Sequence, residues 1–280
     1  MRIRILGTGA AEGWPGLFCA CDTCKRARIV GGKNLRTRAS IQIDDNYKID
    51  LPPDTFYHMH RYGLDLSKLK CLFVTHSHFD HFSADELDYA QEGFAYNHLD
   101  PPLRIYGNAA VVAKLQWMLK EPGMPVEIAL VEPFVPVIVD HLTFTPIRAV
   151  HAPKEEALNY VIQSGDSTVL YASDTGVYGE ETLEYLRAQR LDIAIIECTY
   201  GNQDDDAKYH MNFAAVLQLR DDLAKAGAID ANTQIVITHF SHNGCLLHDE
   251  LEAIAEPEGI AVAYDGIQLG ELTTPSMDTR

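Results

Sequence analysis

The chain contains no run of about 18 apolar residues, so it offers no transmembrane helix. Its first residues, MRIRILGTGA, lack the apolar core of a secretory signal. A soluble, cytoplasmic protein without a membrane partner is therefore expected. Positive charge is scarce: 23 Lys and Arg stand against 40 Asp and Glu, a net charge of −17. Such a surface repels polyanions, which makes extended nucleic acid a poor partner. The densest basic run is only Lys25-Arg26-Ala27-Arg28. No Pro/Ser-rich linker and no internal repeat divide the chain, which predicts a single domain over 1–280 with a loose polar tail after Leu272. A chain of this length does not need disulfides to hold a core. In a reducing compartment its six cysteines stay thiols, and clustered ones point to metal.

What is present is a series of short apolar segments. Arg2–Leu6 alternates as a strand and runs into Gly7-Thr8-Gly9-Ala10-Ala11-Glu12-Gly13. A dinucleotide-binding loop would need glycine or alanine where Glu12 stands, so this is read as a tight turn. Ser40–Ile43 and Tyr47–Leu51 form a predicted hairpin, and Leu69–Thr75 a buried strand. Further strands are predicted at Leu103–Tyr106, Val126–Val131, Val135–Val139, Leu142–Val150, Tyr160–Gln163, Thr168–Ala172, Ile193–Glu197, Gln234–Thr238 and Ile260–Ala263. Helices are predicted at Ala84–Tyr96, Ala109–Lys120, Glu180–Gln189, Phe213–Lys225 and Leu246–Ala255. Many short strands with helices between them predict packed sheets with helices outside.

The strongest chemical signal is Thr75-His76-Ser77-His78-Phe79-Asp80-His81, directly after a buried strand. His76 and His78, two apart in extended chain, can face the same way. Asp80 and His81 follow at the turn. Imidazole with carboxylate suits zinc, iron or manganese. Downstream, His151, Asp174 and His239 each follow an apolar strand, where loops at a sheet edge commonly carry function. Three thiols, Cys19, Cys21 and Cys24, lie within six residues and need one more ligand for a closed zinc site.

This constellation resembles the metallo-β-lactamase superfamily, and within it the PhnP-like phosphodiesterase branch. The resemblance implies an α+β fold, a four-layered αββα sandwich with the site at one edge. It implies two catalytic divalent metals, zinc, manganese or iron. One would take His76, His78 and His151, the other Asp80, His81 and His239, with Asp174 between them. Asp50 would orient the site from behind, although Leu51-Pro52-Pro53 replaces the family's usual small residues after it. The knuckle would be completed by His242 around one structural zinc. His210, in Tyr209-His210-Met211-Asn212, would lie beside the scissile phosphate, a catalytic residue together with Asp80. Water between the two ions would attack the phosphorus of a small diester, cyclic ones included. The motif's completeness argues against a PqqB-like non-hydrolytic pathway protein. An RNase Z-like nuclease and a thioesterase-type hydrolase are the rival readings, and a homodimer is left open. His58, His60, His98, His141 and His248 receive no role, and Cys71, Cys198 and Cys245 are read as core or surface thiols.

Overall fold

Strict alternation of side chains along a strand gives each sheet two faces, and here both faces are covered. In the computed structural model, which describes residues 1–96, 101–116, 124–204 and 206–270, fourteen strands make two seven-stranded sheets. The first holds β1 (Arg2–Gly7), β2 (Ser40–Ile43), β3 (Tyr47–Ile49), β4 (Cys71–Phe73), β5 (Leu103–Gly107) and β6 (Val126–Leu130) in sequence order. The second holds β7 (Val137–Val139), β8 (Leu142–Arg148), β9 (Leu158–Ser164), β10 (Ser167–Ala172), β11 (Ile193–Glu197), β12 (Gln234–Thr238) and β13 (Ile260–Val262). The last strand, β14 (Gln268–Gly270), returns to pair antiparallel with β1. Each sheet has an antiparallel half and a parallel half; in the second, β10 to β13 run parallel.

The alternation sorts β12 cleanly. Val236 points into the core shared by the sheets, while Ile235 and Ile237 point outward to the helices. The shared core carries Ile3, Ile41 and Phe73 from one sheet against Phe144, Tyr160 and Ile195 from the other. Phe73 stacks on Phe144 with ring centroids 3.8 Å apart and on Tyr106 at 4.6 Å. Outside the second sheet lie α1 (Asp22–Val30), α4 (Glu180–Arg187), α5 (Phe213–Ala226) and α6 (His248–Ala255), through Ala27, Leu186, Leu219 and Leu251. Outside the first, α3 (Ala109–Leu115) buries Val111 and Leu115 against Leu72 and Ile105. The expected αββα sandwich is the observed one. α2 (Thr55–Tyr62) lies near β1. Among the described residues no helix is long and apolar enough to cross a membrane.

Several elements differ from the sequence reading. Ala84–Ala90 is a 3₁₀ segment rather than the start of an α-helix to Tyr96. α1, α2 and β14 were not predicted, because α1 buries only Thr23, Cys24 and Ala27, and α2 only Thr55 and His58. Those faces are too small or too polar to show an apolar period. α3 ends at Leu115; the predicted extension to Lys120 runs outside the described residues, as do His98 and the tail from 271. The glycine loop is a close approach, not a nucleotide cradle: a Cβ on Gly7 would sit 2.0 Å from the Arg38 carbonyl oxygen.

Because Phe144 is fully buried at the joint between the sheets, Phe144→Ala is expected to cost about 3–5 kcal/mol. Denaturant titration with an unchanged slope would register this; a loss below about 1 kcal/mol would mean the sheets do not depend on this stack.

Candidate metal centre

The parallel strands end at one edge of the sandwich, and the predicted residues meet there. β4 leads into His76, β8 into His151, β10 into Asp174 and β12 into His239. Two separate groups of ligand atoms form, each within 4.8 Å of one another: His76, His78 and His151, and Asp80, His81, Asp174 and His239; Glu197 and His210 make a further group that shares Asp174 and His239 with the second. The first brings together the three histidines expected around one ion, and the second the three residues expected around the other together with Asp174. His76 Nε2 lies 2.9 Å from His78 Nδ1, and His151 Nε2 3.3 Å from the same atom. Asp174 faces both groups. Its Oδ2 is 3.4 Å from His76 Nε2 and 2.7 Å from His81 Nε2, and its Oδ1 is 2.6 Å from His239 Nε2.

The residues fit divalent cations. His81 Nε2, His239 Nε2 and Asp174 Oδ1 are buried and crowd together, yet none makes a properly directed hydrogen bond. Buried polar atoms normally find partners. Atoms left bare and converging on one point are what a cation satisfies, and nitrogen with carboxylate oxygen is a suitable donor set.

The orienting residues repeat one arrangement on both sides. Asp50 ends the hairpin with a left-handed φ of 65°. Its carboxylate accepts from His81 Nδ1 at 2.7 Å and from Thr75 N and Oγ1 at 2.8 and 3.0 Å. Thr75 Oγ1 in turn lies 3.0 Å from His76 Nδ1. Opposite it, Glu197 accepts from His210 Nδ1 at 2.8 Å and from Thr199 Oγ1 at 2.6 Å, and Thr199 Oγ1 lies 2.8 Å from His239 Nδ1. Each carboxylate therefore holds one histidine directly and a second through a threonine. The proton sits on Nδ1 in each case, which turns Nε2 toward the site in the ligand histidines. His151 reaches the same state by donating Nδ1–H to the Tyr209 carbonyl, 3.2 Å away.

Glu197 and Thr199 were missed in the sequence. The signal was there: Glu197 ends a fully apolar strand, as the recognised ligands do. His210 arrives on a segment that packs closely on Gly176, where a Cβ would lie 2.2 Å from the Lys208 carbonyl oxygen. Its ring lies 4.7 Å from His151 and 5.6 Å from His239, between the two groups. Burial opposes a charge there, but Glu197, with Asp174 beyond it, outweighs burial and pushes the imidazole up to about 9. The altered turn after Asp50 is accommodated by strand-like pairing, with Leu51 N donating to the His81 carbonyl at 2.8 Å.

The knuckle also assembles. Cys19, Cys21, Cys24 and His242 form a third group within the same spread. Cys21 caps α1 by accepting from Cys24 N; that bond leads in lowering its thiol to about 6, while burial pushes Cys24 up to about 12. His242 Nδ1 is 3.5 Å from Cys21 Sγ and 3.8 Å from Cys19 Sγ. Glu12 stands 3.6 Å from His242 Nε2, behind the ring. Cys245 is exposed and outside the cluster, while Cys71 and Cys198 are buried. Of the histidines without a role, His58 contacts Thr37, His60 contacts Phe56, His141 faces Asp44 and His248 meets Arg36 and Glu252.

A sandwich of this topology thus carries, at its sheet edge, a histidine–aspartate cluster suited to divalent cations. The chain belongs to the beta-lactamase superfamily, whose domain model it matches over residues 49–240. It is 27% identical over 279 residues to an octanoyltransferase of Porphyromonas gingivalis strain W83, covering 96% of this chain and 51% of the relative. The chain thus spans about half the length of that curated protein. Among solved structures it resembles a diphosphatase from the PhnP family, with a TM-score of 0.75 and 22% identity over 96% of this chain and 97% of that one. It resembles zinc-bound PqqB from Methylobacterium extorquens equally in fold, with a TM-score of 0.75 and 18% identity over 97% of this chain and 100% of that one.

Closed four-ligand zinc sites stabilise folds rather than open them to substrate. Cys21→Ser is expected to lower the melting temperature and remove about one zinc per chain, leaving the metal at the sheet edge in place. Elemental analysis of protein purified without chelator checks this; full zinc retention would show that the four residues hold none.

Proposed function

We propose that the protein is a binuclear phosphodiesterase acting on a small diester. The observation that carries this reading is the placement of His210: its ring lies between His151 and His239, outside the residues assigned to either ion, and is fixed by its Nδ1 contact with Glu197 at 2.8 Å. Bound divalent ions would supply Lewis acidity, activating water and neutralising phosphoryl charge. The chain's own residues do the rest. Asp50 and Thr75, with Glu197 and Thr199, fix the histidine tautomers. His210 stabilises charge on the departing oxygen or protonates it. His78 is exposed, so the site opens to solvent on that side. With a net charge of −17, a long polyanion meets repulsion everywhere except at the cations, whereas a small diester meets mainly their field. This favours a small substrate over a tRNA precursor. The knuckle is read as structural zinc and the chain as one domain.

A second reading, hydrolysis of an acyl thioester, is favoured by the octanoyltransferase relative, which aligns along nearly the whole of this chain. Thioester cleavage releases a thiolate that needs no proton donor, so it would leave His210 without a role.

The two readings separate on kcat/KM for a ribose cyclic phosphate, bis(nitrophenyl) phosphate, an octanoyl thioester and a tRNA precursor at one salt concentration. The small diesters should be the best substrates; efficient thioester turnover with inert diesters would replace the first reading by the second. His210→Ala should lower kcat on an alkyl diester by roughly 10²–10⁴-fold with metal retained. The loss should be much smaller for a nitrophenyl leaving group. Equal loss on both would assign His210 to binding or positioning instead of proton donation.

A further inference from the structure

One ligand lacks the support its neighbours have. His76 and His81 are held through Asp50, His239 through Glu197 and His151 through a backbone carbonyl. Among the described residues nothing of this kind holds His78, which is exposed. Its position is set through the backbone of Ser77, and Ser77 is gripped on both sides. Glu155, four residues beyond His151, accepts from Ser77 N at 3.0 Å and from Ser77 Oγ at 2.8 Å. Lys114 on α3 donates to the Ser77 carbonyl at 3.0 Å and to the Phe82 carbonyl at 2.7 Å, bracketing the segment that carries His78, Asp80 and His81. Asn108, buried at the N-cap of α3, donates to Glu155 at 3.0 Å and so fixes its carboxylate.

We propose that Glu155 is a positioning residue for the three-histidine group, with Lys114 as its counterpart on the other face of Ser77. The three nitrogens of that group come from only two loops, 76–78 and the one carrying His151. The Glu155–Ser77 contact ties those two loops together. The other group draws on Asp80, His81, Asp174 and His239 and does not use this tie. Glu155 therefore governs the affinity of one ion and not of its neighbour.

This rests on the two-ion reading above. The test is competition of cobalt-loaded protein with a chelator, following ligand-field absorption, with the knuckle distinguished by its thiolate bands. His151→Ala identifies the signal of the three-histidine group. Glu155→Gln is expected to weaken that site tenfold to a hundredfold, leaving the other site and the knuckle unchanged. The exposed neighbour Glu156→Gln should behave as wild type. In the His151→Ala background, Glu155→Gln should add no further loss, which a general effect on folding would not satisfy. Raising the metal concentration should restore kcat in the single variant. Ser77→Ala, which removes the hydroxyl that donates to Glu155, repeats the test if Glu155→Gln does not fold; failure of both to fold would make the residues purely structural and overturn the inference. Unchanged affinities, or equal loss at both sites, would overturn it while leaving two ions in place. Wild-type protein that holds one ion besides the knuckle's would overturn both readings.

Discussion

The buried carboxylate of Asp174 constrains the rest of the edge. It is 2% exposed and faces His76, His81, His151 and His239. A carboxylate removed from water costs several kcal/mol unless charge and hydrogen bonds replace the lost solvent. Burial alone would raise Asp174, but the facing His239 and His81 hold it well below the usual carboxylate range, and His81, against its own burial, is pushed up by Asp174, Asp80 and Asp50. The pocket thus sets one buried carboxylate against imidazoles that would carry the balancing proton, and cations held between the two groups would take that proton's place. The histidine tautomers, the two orienting carboxylates and the threonines between them all follow from that requirement.

The backbone is strained for the same purpose. Asp50, Asp174 and His239 all adopt left-handed φ values, of 65°, 49° and 58°. Such conformations cost of order 1–3 kcal/mol each for residues other than glycine, so surrounding structure must hold them. At Asp50 the holder is visible. Lys48 is fully buried and donates to the Asp50 carbonyl at 2.7 Å, and Ser40 Oγ donates to the same carbonyl at 3.0 Å. Burial lowers Lys48 to about 7. A lysine is thus buried to fix the backbone of an aspartate that in turn fixes two metal-facing histidines. Local strain at each strand end is carried by the sandwich beneath it.

How much of this was legible in the sequence depends on the kind of residue. Metal ligands could be read because they are rare side chains in tight spacing, or because each terminates an apolar strand. The layers could be read because β1 alternates, while β10 and β12 are short apolar runs of the kind buried on both faces. Glu197 and Glu155 could not be read as easily. Carboxylates are abundant in a chain of charge −17, and their roles arise from contacts with Thr199, His210 and Ser77 that no spacing records. α1 and α2 escaped for a related reason. α1 is held by Cys24 and Ala27, and α2 buries His58 against Thr37, so neither shows the apolar stripe that periodicity detects.

The knuckle connects these observations. Its cysteines follow the glycine loop after β1, in the first sheet, and its histidine follows β12, in the second. His242 lies three residues beyond His239, on a segment whose Phe240 pairs with Gly9. A metal held there would pin the loop that carries His239 to the loop that leaves β1. Glu12, behind His242, occupies the position that ruled out a dinucleotide loop. It faces the ring from 3.6 Å while Ser241 Oγ donates to it at 2.5 Å. The same residue that breaks one motif thus belongs to another. The two sheets meet at the site through ligands, at the core through Phe73 and Phe144, and at the margin through sulfur and imidazole. The aromatic tie keeps strand ends from different halves of the chain in register, which a site shared between the sheets requires, and metals held at the edge and at the knuckle would add two more.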